Sequence, residues 1–315
     1  MRAVVLSHDV EVQSSYPMPS PAPGEVLVRV QCAGVCETDL QLIKGYMGFR
    51  GVLGHEFVGV AESGPYAGRR VVGEINCSCW DCPTCRAGYP SHCPNRTVLG
   101  ILNHDGAFAD YIAVPQRNLH LVPDELPNEV AVFTEPVAAA FQIPAQVPIP
   151  QGARIVVLGD GRLGNLSAQV LAGLSENVLV VGKHPEKLAL LQSLGIATML
   201  LRDLKDERVA DIVVDCTGSE TGLPTALSLV RPRGTVVLKT TVAGAQTMAM
   251  APIVIDEVTI VGSRCGPFDQ ALAALADGRV QVGALVSERF ELGRGLEALA
   301  LARSKPVMKV LLDVS

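Results

Sequence analysis

The sequence predicts an α/β protein, with a doubly wound parallel sheet in the second half of the chain and a mostly β region before it. Three observations carry this. From Arg154 onward, short apolar strands alternate with helical stretches. A Gly-rich turn, "GDGRLG", separates the first of those strands from the first of those helices. Up to about Gly106 the chain reads instead as strands and turns, punctuated by proline and glycine. Strands alternating with helices build a parallel sheet covered on both faces.

In order along the chain, "YPMPSPAPG" is a breaker-rich segment, and "EVLVRVQCAGV" after it has the β-branched apolar content of a strand. "NEVAVFTEPVAAAFQIPAQV" is helix-like and "PIPQGA" reads as a linker. "RIVVLGDGRLG" is strand, turn and helix start, and "NVLVVG" is the second strand. In "PEKLALLQSLG", Pro185 suits a first helical turn, Leu188, Leu191 and Leu194 share a face, and Gly195 suits the stop. "ATMLL", "DIVVDCTG", "GTVVLKT" and "VTIVGSR" supply further strands, and the tail "SERFELGRGLEALALARSKPVMKVLLDVS" reads strand, helix, strand.

At 315 residues the chain has room for about two domains, at roughly 150 residues each. A hydrophobic fraction of 48% is ample for two cores. The net charge of −6 and the absence of a basic run argue against a nucleic-acid partner. No apolar stretch approaches a membrane span of about 18 residues. The opening "MRAVVLSHDV" lacks a signal peptide's apolar core, so a cytoplasmic setting is expected, with thiols reduced rather than paired.

Gly159, Gly161 and Gly164, with Arg162 and Leu163 between the last two, fit G-x-G-x-x-G in the context that motif requires. The glycines allow a tight turn and close approach of a pyrophosphate, and the helix start offers free N–H groups to it. An NAD site carries an acid at the end of the second strand to bond the ribose 2′-hydroxyl. Here that place holds Gly182, Lys183 and His184. A small residue and two basic ones suit a 2′-phosphate, which predicts NADP(H) in preference to NAD(H); the plainer reading of Lys183 and His184 is a solvated loop.

Cys79, Cys82, Cys85 and Cys93 are spaced C-x2-C-x2-C-x7-C. Four thiolates close a tetrahedral shell around zinc and leave no open position, so this lobe is expected to be structural. An iron–sulfur cluster would need a different last gap and a second cysteine group. Cys77 and His92 are left over. The reactive centre is then to be sought elsewhere. "GVCETD" holds Cys36, "LGHEFVG" holds His55 and Glu56, and "FTEPVAAA" holds Glu135. Each alone is ordinary; the combination with a dinucleotide turn and a four-cysteine lobe is not.

On these motifs, together with "DGAFADYIAVP" and "GSRCGPF", the whole chain resembles the zinc-dependent medium-chain dehydrogenases, in the branch of polyol and threonine dehydrogenases. The resemblance implies a GroES-like catalytic domain at 1–147 and 264–315, with a structural zinc lobe at about 76–95. It implies a Rossmann-type cofactor domain at 148–263. It implies that Cys36 and His55 bind a catalytic zinc and that Glu56 and Glu135 can complete its shell. Asp39 would orient the ligating histidine, and Thr38 would bond the substrate oxygen. Lys309 matches a basic residue near the cofactor pyrophosphate, and Arg264 is also within the cofactor's neighbourhood in such proteins. Two zinc ions per chain, one catalytic and one structural, and a homodimer or homotetramer follow from the same resemblance.

The reaction implied is reversible hydride transfer between a secondary alcohol or polyol and NADP(H) or NAD(H). Zinc serves there as a Lewis acid that lowers the pKa of a bound hydroxyl. One departure stands out. Family members often carry a histidine three residues after the threonine, as the outer end of a proton relay, and this chain has Gln41, which does not titrate near neutral pH. Either the proton leaves by water past Thr38 and the ribose, which is the preferred route, or one of Glu56, Glu135 and Lys44 assists. The rival readings are a zinc-free enone or quinone reductase on the same fold and a non-catalytic cofactor-binding protein; the candidate ligands Cys36, His55 and Glu135 disfavour both.

Overall fold

Alternation in "EVLVRVQCAG" lays down the central strand of the first unit. In this strand, β3 (Glu25–Gly34), Val26, Val28, Val30 and Cys32 point inward while Leu27, Arg29 and Gln31 are only half-buried. The structure is a computed structural model that describes residues 1–205, 207–240, 248–304 and 307–314. Its contacts divide the chain into two units. The first comprises Met1–Glu135, Ala271–Ala276 and Val282–Ser315; the second comprises Pro136–Gln270 and Asp277–Gln281. The second unit therefore begins before 148 and ends after 263. Ile143, on the helix Thr134–Gln146, and Val147, just after it, are buried in its core beside Ile155 and Val178, which is why that helix counts with it.

In the first unit β3 pairs antiparallel with β5 (Phe57–Ala61), β9 (Tyr111–Pro115) and β18 (Lys309–Asp313). The sheet runs β10 (Leu119–Leu121), β6 (Arg70–Gly73), β5, β3, β18, β17 (Val286–Glu291), with β17 and β18 parallel to each other. A smaller sheet joins β1 (Ala3–Leu6) to β2 (Val10–Gln13) and β4 (Gly51–Val52). A short ribbon, β7 (Asn76–Cys77) with β8 (Thr97–Val98), closes the ends of the segment that carries the four cysteines.

The second unit is a wholly parallel sheet of β11 (Ile155–Leu158), β12 (Val178–Gly182), β13 (Ala197–Leu200), β14 (Ala210–Asp215), β15 (Val230–Leu238) and β16 (Thr259–Gly262). Their order is β13-β12-β11-β14-β15-β16. This is the doubly wound order, whose switch point falls between β11 and β14 and whose ligands bind beyond the strands' carboxyl ends. Both faces are covered, as an all-parallel sheet requires. Ile155, Val157, Val180, Ile212 and Val214 pack on one side with Leu171, Leu188 and Leu191. Leu158, Val181, Val213 and Val236 pack on the other with Ala226, Leu227 and Leu229. Each such aliphatic side chain contributes about 1.5–3 kcal/mol on burial. No helix among the described residues is long and apolar enough to cross a membrane.

Candidate functional site

Where β3 ends, the chain turns into the helix Glu37–Ile43, with Cys36 as its N-cap. The cap is closed by Asp39, whose Oδ2 accepts the Cys36 N–H at 2.8 Å. The other oxygen of Asp39 lies 3.3 Å from His55 Nδ1. One buried carboxylate thus fixes the backbone of the thiol and the ring of the imidazole. With Nδ1 turned to Asp39, Nε2 is the nitrogen left for a ligand. Burial opposes charge on the His55 ring, but Asp39 more than offsets it and holds its pKa well above 6.5. Cys36, His55 and Glu56 bring one ligand atom each to within 4.8 Å of one another.

Glu56 is wholly enclosed, and its Oε2 is ion-paired with the equally enclosed Lys309. Lys309 also donates to Val35 O at 3.3 Å and stands 5.4 Å from the centre of the Phe133 ring. Burial pushes its ammonium down to about 8, against the pull of Cys36 and Asp39. Glycine at position 34 leaves room for this pair, since a Cβ there would come within 2.6 Å of Glu56 Oε2 and 2.7 Å of Lys309 Cε and push both side chains aside. Lys309, which the resemblance associates with the cofactor pyrophosphate, therefore has its charge engaged inside the first unit. Glu56 Oε1 is buried without a hydrogen-bond partner, as are His55 Nδ1 and Asp39 Oδ1 by the same geometric measure. A thiol, an imidazole nitrogen and an orphaned carboxylate oxygen converging in a buried place are a donor set suited to zinc.

Thr38 lies in the first turn of that helix, two residues after Cys36, with its Oγ1 3.8 Å from Cys36 Sγ. Glu135 lies in the first turn of the helix Thr134–Gln146, half-buried, and is not among the residues that converge with Cys36. Gln41 donates to Glu37 Oε1 at 2.6 Å.

The four-cysteine lobe is assembled as its spacing predicts. All four thiols are free of disulfides. Cys82 Sγ is 3.5 Å from Cys85 Sγ and 3.8 Å from Cys93 Sγ, and Cys93 Sγ is 3.4 Å from Cys79 Sγ. A tetrahedron with zinc–sulfur arms of 2.3 Å has edges of about 3.8 Å, so the cage fits that ion. N–H groups of Asp81 and Cys82 lower the Cys79 thiol to about 6. Cys77 stands apart, burial pushing its thiol up to about 12.

In the second unit the Gly-rich turn connects β11 to the helix Arg162–Ala172, with Gly161 as N-cap. Around Gly161 nothing beyond its chain neighbours lies within 4 Å of where a Cβ would stand, which leaves room for a phosphate at the helix start beside Arg162 and Leu163. Gly164 is buried, a Cβ there falling 2.0 Å from Gly159 O, as close helix–strand packing requires. Gly182 ends β12, and Lys183 and His184 lead into the helix Pro185–Ser193. Arg264 is exposed beyond β16, its Nη1 3.4 Å from Cys265 Sγ.

Two acids escaped the sequence reading. Asp215, buried at the end of β14, accepts the Thr217 N–H at 2.9 Å, the Thr217 hydroxyl at 2.8 Å and the Thr240 hydroxyl at 3.0 Å, which shapes the loop after that strand. Asp160, inside the Gly-rich turn, binds the backbone N–H groups of both Lys183 and His184. An acid at the second position of G-x-G was a visible signal for the latter.

Comparison with known proteins agrees with this architecture. Residues 22–124 match the alcohol dehydrogenase GroES-like domain and residues 163–277 the zinc-binding dehydrogenase domain. A sorbitol dehydrogenase of Halalkalibacterium halodurans is 28% identical over 94% of this chain and 93% of its own. A zinc-binding dehydrogenase of Sinorhizobium meliloti, solved with NADP, is 26% identical over 99% of both chains, with a TM-score of 0.90. An alcohol dehydrogenase of Escherichia coli CFT073, solved with NADH, is 25% identical over 100% of this chain and 99% of its own, also with a TM-score of 0.90. The chain belongs to the zinc-dependent medium-chain dehydrogenases, NAD(P)-dependent oxidoreductases that act on CH–OH groups.

Proposed function

We propose that the chain catalyses reversible hydride transfer between a secondary alcohol or polyol and NADP(H), with NAD(H) as the weaker cofactor. The observation that carries the metal-dependent reading is the convergence of Cys36, His55 and Glu56, with Asp39 hydrogen-bonded to the Cys36 backbone and 3.3 Å from the His55 ring. These three residues would hold the catalytic zinc, with Glu135 available as a further carboxylate, and Cys79, Cys82, Cys85 and Cys93 would hold the structural one. A zinc ion held there would supply Lewis-acid polarisation of the substrate oxygen. Asp39 keeps the imidazole oriented, Thr38 offers a hydroxyl to the substrate oxygen, and Lys309 balances the charge of Glu56. The catalytic part is read as 1–147 with 264–315 and the cofactor part as 148–263, the whole forming homodimers or homotetramers.

The preference for NADP(H) rests on Gly182, Lys183 and His184 in place of an acid on that loop. The test is a panel of polyols, amino alcohols, sugars and simple alcohols assayed with both cofactors, alongside metal analysis. Turnover of a secondary alcohol with about two zinc ions per chain and a higher kcat/KM for NADPH supports the reading. About one zinc, with enone reduction instead, overturns the reaction class. Comparable or better kcat/KM with NADH overturns the cofactor preference alone.

A further inference from the structure

The 182–184 loop has no acid of its own, yet a carboxylate reaches it from the phosphate-binding turn. Asp160 Oδ2 accepts the Lys183 N–H at 2.6 Å and the His184 N–H at 2.6 Å. His184 Nδ1 lies 3.0 Å from Oδ1 and 3.1 Å from Oδ2 of the same group. A Cβ on Gly182 would run into this carboxylate, so Asp160 stands where a side chain of residue 182 would begin. The residue is 6% exposed. Burial works against its ionisation, but the bonds from His184 and from the Lys183 N–H outweigh burial and hold its carboxyl below 3.8.

Two successive backbone N–H groups and an imidazole converging on one place form a nest for an anion. A 2′-phosphate on the cofactor ribose is an anion that such a loop would otherwise recruit. Here the donors are already taken by a fixed negative charge, whose repulsion a 2′-phosphate must overcome and a neutral 2′-hydroxyl need not.

We propose that Asp160 is a specificity-determining residue, which limits this chain's preference for NADP(H) by holding the donors of the 182–184 loop. The inference rests on the reading that Lys183 and His184 face the 2′-phosphate. It also accounts for how an acid can act at this loop although the loop itself has none. All the groups concerned belong to the second unit, so neither zinc nor substrate enters the argument.

The test is calorimetric binding of two fragments, 2′,5′-ADP and 5′-AMP, to the zinc-loaded enzyme in its wild-type form and as Asp160→Asn and Asp160→Ser. Asparagine keeps the shape and one acceptor while removing the charge; serine opens the nest. The expected result is a Kd for 2′,5′-ADP about ten-fold lower in both variants, with 5′-AMP nearly unchanged. The gain should shrink as ionic strength rises. Equal weakening of both fragments would show that Asp160 only props the loop and would overturn the proposal, as would unchanged binding of both. If the wild-type protein binds 5′-AMP the more tightly, the NADP(H) reading fails by itself; the variant-to-wild-type ratio for each fragment still decides the role of Asp160.

Discussion

Asp39 holds His55 by the ring, at 3.3 Å, while closing the helix cap on Cys36 at 2.8 Å. Two candidate ligands from different strand ends are thereby set against each other by a single residue. Asp39→Asn keeps the size and removes the charge that makes the ring a strong donor. Loss of such a partner lowers metal affinity by roughly 10–100-fold. Zinc competition against a chelator should show that drop at one of two sites, with the four-cysteine site unaffected.

Cys36→Ala should take the zinc content from about two to about one per chain and abolish turnover while the fold stays intact. Cys82→Ala should act differently, lowering the melting temperature first and activity only as a result. A stable, well-folded but inactive Cys82→Ala protein would contradict this division of labour.

Lys309 and Glu56 form an enclosed pair, both 0% exposed. Removing one partner of such a pair strands the other charge and costs about 3–5 kcal/mol. Lys309→Met should therefore lower the melting temperature of the metal-free protein. Adding Glu56→Gln should restore much of the loss, because neither charge of the pair is then left stranded. Additive losses in the double variant would mean that the two residues do not act as a pair.

The thiols set opposite pH limits on the metal-free protein. Cys79 lies near 6 in the folded chain against an ordinary 9.0, so its contribution is complete above pH 9 and is lost as pH falls through 6. Burial pushes Cys32, Cys77 and Cys216 to about 12, so their contribution is complete below pH 9 and is lost as pH rises toward 12. Thermal melts of the zinc-stripped protein should rise from pH 6 to 9 and fall beyond it. Cys79→Ser should flatten the rise and leave the fall.

Much of this was legible in the sequence because it is local. The four cysteines span Cys79 to Cys93, the Gly-rich turn sits between an apolar strand and a helix, and Cys36 and His55 lie in short motifs. What was not legible depends on side-chain reach across the fold. The bonds from Asp160 to Lys183 and His184 cross from one strand end to the next, and the parallel pairing of β11 with β12 is what brings them together. Periodicity identifies those strands, but it does not say that a carboxylate in one loop will satisfy the backbone of another. Glu135 shows the reverse case: a motif residue that the fold of the first unit does not gather with Cys36, His55 and Glu56.

The pairing of β18 between β3 and β17 has a consequence in time. Glu56 and Lys309 are 253 positions apart. At about 5–20 residues per second, a ribosome takes roughly 13–50 s to travel from one to the other. Over that interval the nascent chain carries Glu56 without its countercharge and β3 without one of its neighbours. The second unit is made in full before Lys309 emerges. The ion pair at Glu56 is thus completed only when Lys309 is made, and stalling synthesis after residue 262 should leave a chain whose cofactor sheet can form while Glu56 stays without its countercharge.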